Sequence, residues 1–195
     1  MVQECAAGLL PMRVDGDGSA RRIFVRAPRG RMVPVAVESA VWHETLRSDA
    51  LGELRLGDLP PVVIDNGPHF WLVELADEET LRSMQPDLAA IARLTEATGT
   101  VGFAVFARSS NTDYQLAVRV FCPADGIPED PVTGAANAAI AAWLEQNNAL
   151  PARKYSASQG REIGRDGRVE VEVDDSGSAW IGGQTQTVVQ GTLDW

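Results

Sequence analysis

The alternation of apolar and polar positions divides the chain into three kinds of segment. In RVEVEVD (residues 168–174) valines alternate with charged residues, the period of a strand with one face in water. RRIFVRA (21–27), PVVIDN (61–66), FWLVEL (70–75), VGFAVFA (101–107), YQLAVRVF (114–121), AWIGG (179–183) and QTVVQGTL (186–193) are rich in β-branched and aromatic residues and predict further strands. DGDG, DNG, RDG and DSG supply the turns between them, and VEVEVDDSGSAWIGG (169–183) reads as a hairpin.

The second kind is amphipathic. In DEETLRSMQPDLAAIARLTEA (77–97), Leu81, Met84, Leu88, Ile91 and Leu94 recur at helical spacing, and Pro86 divides the segment into two outer helices. VWHETLRSDALGEL (41–54) predicts a further short outer helix or loop. The third kind is a single segment, GAANAAIAAWLEQ (134–146), which is apolar around its whole circumference and therefore has to be enclosed on every side. Asp130 and Thr133 both suit its cap, Pro131 fits the first turn, and Gly134 lets another group approach the backbone. Polar residues 145–148 and then Pro151 mark its end. Together the segments predict one α+β domain over residues 1–195. Its curved, mainly antiparallel sheet wraps a buried central helix, with amphipathic helices outside. The start of a helix that emerges from a loop carries unpaired N–H groups and partial positive charge, a site for a carboxylate or phosphate.

Composition changes this picture in one respect. A net charge of −10 on 195 residues excludes nucleic acid as a partner bound through phosphate neutralisation. No apolar run approaches the roughly 20 residues of a membrane span, and MVQECAAGLLPM lacks the features of a signal peptide. The expected location is cytoplasmic, with no membrane partner. Cys5 and Cys122 have no second cysteine or histidine at metal-ligand spacing and are expected to be reduced structural thiols. His43 and His69 form no triad or metal pattern, and His69 is expected half-exposed at a strand start. No metal site is predicted. Arg119 is expected to pair with an acid and hold the loop that follows it, and Glu129 and Glu162 to be solvated surface charges; SQGREIGR (158–165) is expected to form a strand-end turn, with an approach to the cleft through Gln159 or Arg161 as the alternative.

RVFCPADGIPEDPVTGAANAAIAAWL (119–144) resembles the second-domain signature of the PhzF-like phenazine-biosynthesis isomerases, relatives in fold of diaminopimelate epimerase. YSASQGREIGRDGRVEVEV (155–173) and AWIGGQTQTVVQGTL (179–193) resemble the strands that close such chains, and QECAAGLLPMRV (3–14) the strand that opens their second half. The resemblance implies a barrel-like sheet around each of two central helices whose N-termini face one cleft. It also implies proton transfer within a small carboxylate substrate, trans-2,3-dihydro-3-hydroxyanthranilate in the phenazine pathway, without cofactor or metal. Carried onto this chain, it makes Asp130 the catalytic residue and Thr133, Gly134, Ala135, Ala136 and Asn137 the substrate-binding residues.

The departures are specific. The first-domain glutamate base and its Gly-His-Ala-Thr type motif have no counterpart, so only the second half of the family is expected here. Ala135 and Asn137 stand where Ser and His are common. The chain alone is accordingly expected to be incomplete or inactive as an isomerase, and to form a homodimer or take a partner that supplies the missing domain. A non-catalytic small-carboxylate-binding or regulatory domain is the alternative.

Overall fold

The computed structural model describes residues 1–5, 8–35 and 55–192, and segment 41–54 with His43 lies outside the described residues. The described strands are β1 (Val2–Cys5), β2 (Gly8–Asp15), β3 (Arg22–Arg26), β4 (Arg31–Val33), β5 (Val62–Asp65) and β6 (His69–Glu74). They continue with β7 (Gly102–Arg108), β8 (Leu116–Cys122), β9 (Ile127–Asp130), β10 (Lys154–Gln159), β11 (Gly167–Val173) and β12 (Ala179–Gln184). The helices are α1 (Glu78–Ser83), α2 (Leu88–Thr98) and α3 (Gly134–Gln146). The class is mixed and mostly sheet, and no described helix is long and apolar enough to cross a membrane.

One sheet runs in the order β1-β2-β3-β12-β11-β10-β8-β7-β6-β5-β4, with β9 paired to β8 off this path. Most pairs are antiparallel, as the alternating segments predict. Two are not: β6 with β7 and β8 with β10 run parallel. The helices impose this. Parallel strands need a crossover rather than a tight turn, and α1 with α2 bridges β6 to β7 while β9 with α3 bridges β8 to β10.

The two crossovers cover opposite faces. Along β7, Ala104 and Phe106 join one apolar cluster with Ala136, Ile140 and Leu144 of α3, while Phe103, Val105 and Ala107 join another with Leu81, Ile91 and Leu94 of α1 and α2. A strand covered on both faces needs no polar side, which accounts for the unbroken run in VGFAVFA. β11 differs: Val169, Val171 and Val173 enter the α3 cluster, while Glu170 and Glu172 face outward to Arg22 and Arg13. The α3 cluster collects side chains from β5, β6, β7, β8, β10, β11 and β12. Ala136, Ala139, Ala141 and Leu144 of α3 are fully buried.

Pro86 falls between α1 and α2 as expected, and each of the two begins on its own aspartate. Residues 186–192 form no strand, contrary to expectation; Val188 and Val189 are 82% and 84% exposed. The physical reason is that β12 already has β11 on one side and β3 on the other, so the tail that follows it meets no open edge beside it.

Candidate functional site

β9 delivers Asp130 at its last position, paired with Val120 of β8. Three residues later Thr133 caps α3 with extended backbone, and no side chain of its own closes the helix end. The first four N–H groups of a helix have no intrahelical partner. Here the Thr133 N–H donates to Oε1 of Gln159 at 3.1 Å, which leaves those of Gly134, Ala135 and Ala136 without an intrahelical acceptor.

Gln159 ends β10, is fully buried, and organises this turn. Its Oε1 also accepts from Asn137 Nδ2 at 2.9 Å, and its Nε2 donates to the Asp130 carbonyl and to Thr133 Oγ1, both at 2.9 Å. The Thr133 hydroxyl in turn donates to Asp130 Oδ2 at 2.5 Å. Asn137 places its second amide hydrogen on the Thr133 carbonyl at 3.0 Å. Asp130, Thr133 and Asn137 are thus brought together by a residue expected to lie in an ordinary strand-end turn. The Asn137 amide and the Thr133 N–H are both committed inward. Gly134 is exposed and Ala135 half-buried, so those two lie at the surface end of the turn, whereas Ala136 is fully buried.

Two further devices hold the loop. Gly160, at φ +81°, lets the turn after Gln159 pass so near Pro131 that an added Cβ would lie 2.4 Å from the Pro131 carbonyl oxygen. Arg119 of β8 grips Glu129 with both arms of its guanidinium, Nε to Oε1 at 3.1 Å and Nη2 to Oε2 at 2.9 Å. Its remaining arm reaches the carbonyls of Leu81 and Met84 at the end of α1. The Arg119 role is the expected one. The reading of Glu129 as solvated is corrected, since both side chains are under a tenth exposed. Glu162 is corrected likewise: it is bound to Arg82 at 2.9 Å with its side chain 13% exposed. Arg82 lies 80 residues away in sequence, so no local pattern announces the pair.

Asn66, in the turn between β5 and β6, is a residue that sequence reasoning missed. It is 3% exposed and donates from Nδ2 to the Ala135 carbonyl at 2.8 Å, while its Oδ1 is buried without a partner among the described residues. Cys122, two residues beyond the Asp130 pairing on β8, is a free buried thiol. Burial first, then the nearby carboxylates of Asp130 and Asp125, push its pKa up to about 11, so it is no nucleophile at neutral pH. Cys5 is free and exposed on the edge strand β1, not buried. His69 opens β6, half-exposed as expected, with Nε2 3.5 Å from Asp65.

The geometry presents a helix start without a side-chain cap beside a carboxylate, on a mixed sheet with two helical crossovers. The model of the phenazine biosynthesis-like proteins matches residues 1–191, and the chain belongs to that PhzF family. Because the match runs over nearly the whole chain, it does not support reading the chain as the second half only. An uncharacterized isomerase of Deinococcus radiodurans is 35% identical over 184 residues, which cover 90% of this chain and 58% of that protein. A Bacillus anthracis PhzF-family phenazine biosynthesis protein superposes with a TM-score of 0.70 at 21% identity, over 92% of this chain and 63% of its own. A hydroxyproline epimerase from Agrobacterium vitis, solved with trans-4-hydroxy-L-proline bound, shares the fold with a TM-score of 0.56 at 16% identity, over 94% of this chain and 55% of its own. The chain thus spans less than two thirds of each of these relatives.

Proposed function

We propose that this chain contributes one face of a cofactor-independent isomerase or epimerase site for a small carboxylate-bearing molecule. The observation that carries the reading is the start of α3: the N–H groups of Gly134, Ala135 and Ala136 have no intrahelical partner and lie beside Asp130 in a turn fixed by Gln159. A helix start of this kind binds a carboxylate through oriented N–H groups and the helix dipole. Asp130 then stands next to the bound anion, where a proton would leave or join the carbon that bears it. The curved sheet with α3 as its central axle is the diaminopimelate epimerase-like arrangement. The hydroxyproline bound to the A. vitis epimerase supports a small carboxylate as ligand class.

In this reading Asp130 is the catalytic residue, Gly134, Ala135 and Ala136 hold the carboxylate, and Thr133 and Asn137 shape the turn. Proton transfer at carbon needs a second group on the opposite side of the substrate. A partner chain or a second copy in a homodimer supplies that group, and the chain alone binds without turning over. The test uses the purified chain and trans-2,3-dihydro-3-hydroxyanthranilate in deuterated water, followed by NMR. The expected result is binding with little or no label uptake. Enzyme-like exchange abolished by Asp130→Asn would overturn the claim of an incomplete site, and absence of any binding would overturn the ligand class.

A further inference from the structure

We infer that Gln159 is a positioning residue that orders the protons around Asp130 and so determines which carboxylate oxygen is free to transfer one. The inference rests on the reading of Asp130 as the proton-transfer group, but its geometry stands apart from that reading. Two groups in the turn have no freedom: the Thr133 backbone N–H can only donate, and the Asp130 backbone carbonyl can only accept. The first faces one end of the Gln159 amide at 3.1 Å and the second faces the other at 2.9 Å. The end facing the N–H is therefore oxygen and the end facing the carbonyl is nitrogen. A flipped amide would set two donors against each other at one end and two acceptors at the other.

The rest follows in sequence. Gln159 Nε2, its orientation fixed, also donates to Thr133 Oγ1 at 2.9 Å, so that hydroxyl is an acceptor from Gln159. Its single proton is left for its other close neighbour, Asp130 Oδ2, at 2.5 Å. Oδ2 accepts it and is thereby engaged. Asn137 reinforces the order by giving both amide hydrogens to acceptors in the same turn, Gln159 Oε1 and the Thr133 carbonyl. Among the described residues no hydrogen bond reaches Asp130 Oδ1. Oδ1 is accordingly the oxygen that exchanges a proton with a ligand held at Gly134–Ala136, while Oδ2 is held as an acceptor by a donor whose direction is set 26 residues away at Gln159. Full burial of Gln159 removes water as a competing partner, which keeps the order single.

The test reads protons and does not need turnover. In the full chain carrying ¹³C-labelled aspartate, the Thr133 hydroxyl proton is expected to give its own slowly exchanging resonance, and the Asp130 carboxyl carbon a resonance shifted by that bond. Thr133→Val removes the donor and moves the Asp130 resonance; Thr133→Ser restores it. Gln159→Glu is the decisive variant. One of its oxygens still accepts from the Thr133 N–H, but the other now faces Thr133 Oγ1 as an acceptor, so the hydroxyl turns toward it and the Asp130 resonance moves although Thr133 is intact. An Asp130 resonance unchanged in both Thr133→Val and Gln159→Glu overturns the proposal. Should Gln159→Glu fail to give a native amide spectrum, the Val and Ser pair alone decides whether the hydroxyl acts on Asp130, and a rapidly exchanging wild-type hydroxyl overturns it. Acetate titrated into the same samples separates the two ideas: an ordered Asp130 without acetate binding refutes the ligand reading alone, and acetate binding with an unresponsive Asp130 refutes the proton order alone.

Discussion

Three α-helices begin among the described residues, and they begin differently. At α1 the carboxylate of Asp77 accepts from the Thr80 N–H at 2.7 Å, and at α2 that of Asp87 accepts from the Ala90 N–H at 3.0 Å. Each of these helices carries its own anion at its positive end. At α3 the cap residue is Thr133, and its hydroxyl turns away from the helix toward Asp130. The far end of α3 is closed in the usual way, with the Asn147 N–H on the Trp143 carbonyl and the Ala149 N–H on that of Leu144. The chain caps two helices with aspartate and spends the nearest aspartate of the third elsewhere, so that third terminus has no anion of its own, as the proposed carboxylate site requires. The elaborate bracing of the loop by Arg119, Glu129 and Gln159 is hard to assign to helix stability alone, because a plain Asp at position 133 would cap the helix with far fewer parts.

The largest expected effect comes from removing the brace. Glu129→Ala leaves the Arg119 guanidinium buried and unpaired, and such a break costs about 3–5 kcal/mol. Urea unfolding should show that loss, and the Asp130 turn should lose any ligand response. Gly160→Ala acts on the same turn by forcing a Cβ against Pro131 at a positive φ. It is expected to destabilise by about 1–3 kcal/mol, read as a shift of the urea midpoint. Asp87→Ala is the contrasting case at a self-capped helix. It should lower stability by about 1 kcal/mol and leave the anion response of α3 unchanged; a change there would erase the distinction between the helix starts.

The smallest effect is one of pH. The Asp77 carboxyl is held below the usual aspartate range by the Thr80 hydroxyl first, then by the Thr80 N–H and by Arg55. A depressed folded pKa gives stability that is present above the unfolded value, about 3.9, and lost as pH falls through the folded one. The Thr80 amide should therefore lose hydrogen-exchange protection as the solution is acidified below about pH 4. In Asp77→Asn that dependence should vanish.

Much of the frame was legible in the chain because it rests on period. The span of α3 and the break at Pro86 follow from where apolar residues fall, whereas the double-faced burial of β7 and β8 emerged only from the fold. β10 was legible only through the resemblance of YSASQG to a closing strand, because Tyr155 and Ala157 are the only apolar residues in its short run; Ser158 and Gln159 are fully buried through hydrogen bonds that only the fold brings to them. The same limit hid the organising role of Gln159, which the sequence offered only as one of two residues able to approach the cleft. Asp130 and Thr133 are three residues apart and announce themselves as cap candidates, whereas Gln159 meets them across a parallel strand pair. The one available signal was a fully amidic, uncharged Gln followed by Gly at the end of a segment leading away from α3. Parallel pairing itself was missed because alternation reports one exposed face and not strand direction.

The central claim is that α3 is the helix start left open for an anion. It is tested most directly by titrating acetate into the ¹⁵N-labelled chain and following individual amides. The account predicts that Gly134, Ala135 and Ala136 shift together along one saturable binding curve, while Thr80 and Ala90, already bound to their aspartates, stay in place. No response at Gly134–Ala136, or an equal response at Thr80 and Ala90, would contradict it.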